Sequence, residues 1–168
     1  MRYIVFAFIT FFFMFSYSQT IDLRRMDNDE RNIYLEKIAR EVTSNFGPDY
    51  IKDSMIVKIS EIKTYHVDQY KQNILEYKKV DGKRYYTVTL AYNQELEKQP
   101  FRNASVTNVW ENDGQPYSVM FGGGRGVEFI KRPYAEWIRE GIEDAYIVKF
   151  DHYEKYREIV YPVEENNE

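Results

Sequence analysis

The chain has 168 residues, with 27 acidic against 23 basic side chains, a formal net charge of −4, 16 Tyr, 11 Phe and no Cys. An acidic surface disfavours phosphate backbones and anionic lipid as partners, and the aromatic content is too high for a disordered chain. Without Cys there are no disulfides, no thiol chemistry and no lipid-attached form of a bacterial leader, so core burial has to hold the fold.

Arg2, the apolar run from Tyr3 to Phe15 and the small-x-small triplet Ser16-Tyr17-Ser18 read as a signal peptide over residues 1–18, cleaved before Gln19. The run is shorter than the roughly 20 apolar residues that span a bilayer. A retained anchor is the alternative, and no membrane insertion is expected after cleavage. Residues 19–163 are expected to form one domain, since roughly 150 residues suffice to bury a core. The expected location is a bacterial periplasm or the cell exterior. Loss of Arg2 with the leader makes the mature chain one charge more negative.

The first folded element is expected to be a helix over Asp29–Phe46, where Leu35, Ile38, Ala39, Val42 and Phe46 recur at spacings of three and four and line one stripe. Asp27, Asn28 or Asp29 can cap its start, and Gly47 before Pro48 is expected to supply a left-handed stop. Arg31, Glu36, Lys37 and Arg40 lie on the opposite side, which should face water.

After this helix the apolar period changes to two at Met55, Val57 and Ile59, then shifts phase at Ile62, so a bulge or bend is expected near Ser60 and Glu61. Asp81-Gly82 predicts a two-residue hairpin that pairs Val80 with Lys83, Tyr77 with Tyr86 and Leu75 with Val88. The stretch from Asn93 to Asn103, which contains Pro100, should be an exposed crossover. A second hairpin is expected at Asp113-Gly114, with Asn112 opposite Gln115, Trp110 opposite Tyr117 and Val106 opposite Phe121. Pro116 fits there only with its missing amide turned away from the ladder. Asn103-Ala104-Ser105 matches a glycosylation acceptor, a short and common signal that carries little weight here.

Pro133 at a first helical position, followed by Tyr134, Trp137, Ile138 and Ile142, predicts a short amphipathic helix broken near Gly141. Tyr146 to Phe150 returns to a strand-like composition, and residues 164–168 make a frayed acidic tail. The predicted fold is therefore α+β: an N-terminal amphipathic helix packed on an antiparallel sheet of four to five strands built from hairpins, with a short C-terminal helix. Over residues 29–121 this order of elements is similar to that of the cystatin-like folds, in element order alone. No motif supports kinship, and no function is carried over.

Candidate chemistry is sparse. Gly122-Gly123-Gly124-Arg125-Gly126 could cradle an anion with Arg125 supplying charge, but a nucleotide loop needs Lys-Ser or Lys-Thr and a helix after it, whereas Val127 to Ile130 reads as extended. The plainer reading is a turn between strands. His66 and His152 are the only histidines, so a three-His metal site is impossible, and no metal site or cofactor is expected. No Gly-x-Ser-x-Gly elbow or His-Glu-x-x-His helix is present, and no pair among the acids can be singled out for glycosidase chemistry. No catalytic residue is assigned.

The ligand-binding candidates are Asn108, Trp110, Tyr117 and Arg125. Trp110 and Tyr117 offer large stiff faces, and Asn108 is expected between Val106 and Trp110 on the face shared with Tyr117, Val119 and Phe121. Core packing of the aromatics and a structural amide are the plainer alternatives. The leading expectation is an exported non-catalytic binding module that recognises a protein, peptide or envelope component, with an immunity or inhibitor-like protein as one version. The alternatives are a periplasmic carrier of a small ligand or glycan, and an uncharacterised hydrolase.

Overall fold

Asp27 stands in extended conformation and its carboxylate accepts hydrogen bonds from the amides of Asp29 and Glu30, each at 2.9 Å. Two of the four amides that a helix start leaves unpaired are thereby satisfied, and helix α1 runs from Asn28 to Phe46. Its buried stripe is Leu35, Ile38, Ala39, Val42, Thr43 and Phe46. The computed structural model describes residues 21–47, 51–52, 54–96, 99 and 101–140. The expected signal peptide, the end of the expected C-terminal helix at Gly141 and Ile142, the Tyr146–Phe150 segment, His152 and the expected acidic tail lie outside the described residues.

The helix stops differently from the sequence expectation. Gly47 has φ −93°, so it is not left-handed. What its position requires is space: a Cβ there would lie 2.7 Å from the Thr43 carbonyl and 2.8 Å from the Phe121 ring. The helix end is thus pressed onto the sheet, and glycine permits the approach.

Among the described residues the sheet has six antiparallel strands, β1 (Ile56–Ile59), β2 (Lys63–Thr64), β3 (Arg84–Ala91), β4 (Asn103–Trp110), β5 (Pro116–Phe121) and β6 (Gly126–Glu128). Their order is β1-β3-β4-β5-β6, with β2 also on β3. Ile59 pairs with Val88 and Lys63 with Tyr85, so the break expected near Ser60 and Glu61 separates two strands that share one edge of β3. Val57 and Ile59 pack toward the core, as their alternation implies.

The first expected hairpin is replaced by something else. The Asp81-Gly82 turn forms, with Gly82 at φ 77° and Lys83 N–H donating to the Val80 carbonyl at 3.1 Å. Leu75–Lys78, however, is a short helix, α2, and the chain lying against the start of β3 is the 63–65 segment. Tyr65 N–H donates to the Lys83 carbonyl at 2.8 Å and Gly82 N–H to the Tyr65 carbonyl at 2.9 Å, so β3's partner positions are already filled there.

The second hairpin forms with a changed register. Trp110 N–H donates to the Gln115 carbonyl, Val109 pairs with Pro116 and Asn108 with Ser118. Tyr117 is left without an opposite residue, which is a bulge. Val106 therefore faces Met120 rather than Phe121. A one-residue slip sends side chains to the other face, and Val119 and Phe121 accordingly join the core beneath α1 while Trp110 does not.

The inner face, including Val88, Leu90, Ser105, Val109, Val119 and Phe121, packs on α1. Helix α3 (Tyr134–Glu140) closes one end of this core: Phe46 meets Phe129, Tyr134 and Trp137 at ring distances of 5.1, 5.7 and 6.2 Å. Pro133 stands just before its first residue rather than at it, with its carbonyl accepting from Glu136 N–H at 2.9 Å.

Candidate functional site: the outer face of the sheet

Antiparallel pairing aligns residues of adjacent strands in rows that cross the sheet, and alternate rows face the side away from α1. One such row is Thr87, Asn108, Ser118 and Glu128, set by the pairs Thr87 with Asn108, Asn108 with Ser118 and Ser118 with Glu128. The Thr87 hydroxyl donates to Asn108 Oδ1 at 2.9 Å and Asn108 Nδ2 donates to Ser118 Oγ at 2.9 Å. Lys63 Nζ reaches Thr87 Oγ1 at 3.3 Å. The Asn108 amide is thus held by its neighbours Thr87 and Ser118, and all three are half-buried, while Glu128 at the end of the row is exposed.

Toward the Gly114 end of the sheet, this row borders an aromatic cluster. Trp110 and Tyr117 are stacked at 4.0 Å with planes 20° apart, and Tyr65 and Tyr85 meet both edge-on. The bulge at Tyr117 allows this, by placing its ring on the same face as Trp110. Both residues are 5 % exposed. Burial, followed by the neighbouring Tyr85 phenol, pushes the Tyr117 phenol far above the usual tyrosine range.

The segment between β2 and β3 covers this cluster and is fastened at Glu128. Tyr77 OH donates to Glu128 Oε2, and Lys71 Nζ lies 2.8 Å from Oε1 and 4.6 Å from the Tyr77 ring centroid. The hydrogen bond to Glu128 is the main cause that raises the Lys71 ammonium pKa, and burial is the main cause that raises the Tyr77 phenol.

Toward the opposite end of the sheet the next row, Lys58, Thr89, Val106, Met120 and Gly126, is more open. Met120 is 50 % exposed and Lys58 is exposed. Here a cleft of about 440 Å3 lies between Phe101, Arg102, Val106, Met120, Gly122 and Gly124. A second cleft of about 490 Å3 lies between the start of α1 and the β1–β2 break, beside Arg31, Ile62 and Tyr86.

The glycine run is the turn from β5 to β6. Gly122 N–H donates to the Ala104 carbonyl at 3.1 Å, Gly124 N–H to the Phe121 carbonyl at 2.9 Å, and Gly124 has φ 77°. Two of its amides are thereby spent on the fold. Gly122 also packs so closely on Asn103 and Phe101 that a Cβ would collide with both.

Of the four candidates, Asn108, Trp110 and Tyr117 share the outer face, while Arg125 sits in the turn at the far end of β5 and is exposed. Neither cleft is lined by Asn108, Trp110 or Arg125. Thr87, Ser118, Met120 and Phe101 are not singled out by the sequence. The alternation of β3 and β4 carries the signal for Thr87, but Ser118 and Met120 depend on the bulge, which no local pattern announces. Ser105 of the glycosylation triplet is fully buried.

Among the described residues, His66 is exposed, no group of three or more His, Cys, Asp or Glu could hold a metal ion, and no helix is long and apolar enough to cross a membrane. No family model, curated protein or solved structure matches the chain.

Proposed function

We propose that the protein is an exported, non-catalytic recognition module that binds a protein or peptide of the cell envelope through the outer face of its sheet. The single observation that carries this reading is the part of the outer face left open: α1 packs on one face of β3, β4 and β5, the segment between β2 and β3 covers only the aromatic end of the other, and the remainder presents the bonded Thr87–Asn108–Ser118 row beside exposed Met120. Thr, Asn and Ser carry no group that ionises near neutral pH, and side chains already bonded to one another make a preorganised surface, which lowers the entropic cost of binding. Export rests on the leader pattern of Arg2 to Phe15.

The test is capture from envelope extract at low salt, comparing the purified wild-type domain with Asn108→Arg, which places a large cation in the middle of the row. The proposal expects a component retained by the wild type and lost from the variant, with both proteins folded by circular dichroism. Equal retention by the two, or none by either, would contradict it.

A further inference from the structure

We infer that the open row of the outer face is a docking groove for an extended peptide segment whose apolar side chains are flanked on both sides by carboxylates. This deepens the recognition reading above and rests on it. The row crosses the sheet from Lys58 in β1, through Thr89, Val106 and Met120, to Gly126 in β6. Its middle is apolar: Val106 and Met120 line the cleft with Phe101, and Ile56, 46 % exposed, is two residues from Lys58 on the same strand.

Its borders are cationic. Lys58 stands at the β1 end, Arg125 precedes Gly126 at the β6 end, and Arg102 lines the cleft. Among the described residues these three are in no ion pair, whereas Lys71, Lys83, Arg84, Arg132 and Arg139 each have a carboxylate within 4 Å. The carboxylate closest to the groove by register is Glu128, one row away, and it is held by Lys71 and Tyr77.

Local charge is thus opposite to the net charge of the chain. Screening over a Debye length of roughly 8–10 Å lets the local cations decide which partner docks. Five strands about 4.8 Å apart span roughly 19 Å, the reach of about six residues of extended chain at about 3.3 Å each. A segment of that length lays its apolar side chains on Val106 and Met120 and brings a carboxylate to Lys58 at one end and to Arg125 or Arg102 at the other. A cationic segment would meet like charge at both ends.

The test uses fluorescein-labelled synthetic heptapeptides with leucine and valine between two terminal aspartates, two lysines or two serines, titrated with the full chain without its leader. Anisotropy should report binding of the aspartate peptide, at least tenfold tighter than the lysine or serine forms and weakening as salt rises. Lys58→Glu and Arg125→Glu, both at exposed positions, should each weaken it several-fold, and the double variant should prefer the lysine peptide. Equal binding of the three peptides, no binding of any, or indifference to both charge reversals overturns the inference. If envelope capture still depends on Asn108 in that event, only the groove assignment fails; if that dependence is lost too, the recognition reading fails with it.

Discussion

The hydroxyl of Ser105 in β4 donates to Thr43 Oγ1 in α1 across 2.6 Å, while Thr43 gives its own proton to the Ala39 carbonyl at 2.7 Å. A hydroxyl has one proton to donate, so the second bond fixes the direction of the first. Both side chains are fully buried. Thr43→Val leaves the Ser105 hydroxyl buried without an acceptor and should cost about 1–3 kcal/mol, whereas Ser105→Ala leaves Thr43 bonded and should cost about 0.5–1.5 kcal/mol. Urea denaturation checks the order, and the double variant should cost less than the sum of the two. A larger loss from Ser105→Ala would contradict this donor direction.

Two glycines are needed for different reasons, and one substitution separates them. Gly82 has φ 77° and open space for 4 Å around the point where a Cβ would sit, so Gly82→Ala should cost about 1–2 kcal/mol from the left-handed backbone alone, and Asn, which tolerates that region, should recover most of it. Gly47 has an ordinary φ but no room, so Gly47→Ala should cost about 1–3 kcal/mol and Gly47→Asn at least as much. Thermal denaturation of the four variants decides. Recovery by Asn at both positions would show that the Gly47 contact is soft.

These cases show what is legible in the sequence. The stripe from Leu35 to Phe46 and the cap at Asp27 place α1 to within a residue, because amphipathic period and capping chemistry are local. Gly82 and Gly114 read as reversals, and both have positive φ. The alternation of Leu75 and Tyr77 mimics a strand, yet Tyr77 is buried by its bond to Glu128, a contact 51 residues distant in sequence. The register of β4 on β5 is hidden from a local reading because a bulge at Tyr117 depends on how Trp110 stacks. That single slip also governs the candidate site, since it decides which of Phe121 and Met120 faces outward.

Alkaline pH should destabilise the fold through its raised phenols, most of all Tyr117 and Tyr134. Burial is the first cause that raises Tyr117, with Tyr85 second; for Tyr134 it is burial, then the hydrogen bond to Glu41. Raised folded pKa values mean that this contribution to stability is complete below the ordinary tyrosine value of 10.0 and is lost progressively as pH climbs above it, when the unfolded phenols ionise first. Chemical denaturation should show stability falling above about pH 10. Tyr117→Phe and Tyr134→Phe should each flatten that decline; an unchanged slope in the double variant would contradict the assignment.

The fastening at Glu128 should depend more on Tyr77 than on Lys71. An exposed ion pair contributes about 0–1 kcal/mol, while a hydrogen bond to a charged group contributes about 1.5–3 kcal/mol. Lys71 and Glu128 are 38 % and 39 % exposed, whereas Tyr77 is 4 % exposed. Tyr77→Phe should therefore speed amide hydrogen exchange over residues 65–82 more than Lys71→Met does, with α1 unaffected in both. Faster exchange in the Lys71 variant would reverse the ranking.

The central claim is that the sheet face away from α1 is the working surface, and a photo-crosslinking amino acid tests it in the cells that produce the protein. Placed at Val106 it should give a discrete crosslinked partner that disappears with Asn108→Arg. Placed at Ile33, which is 70 % exposed on α1, it should give none. A partner trapped from Ile33 and not from Val106 would contradict the account.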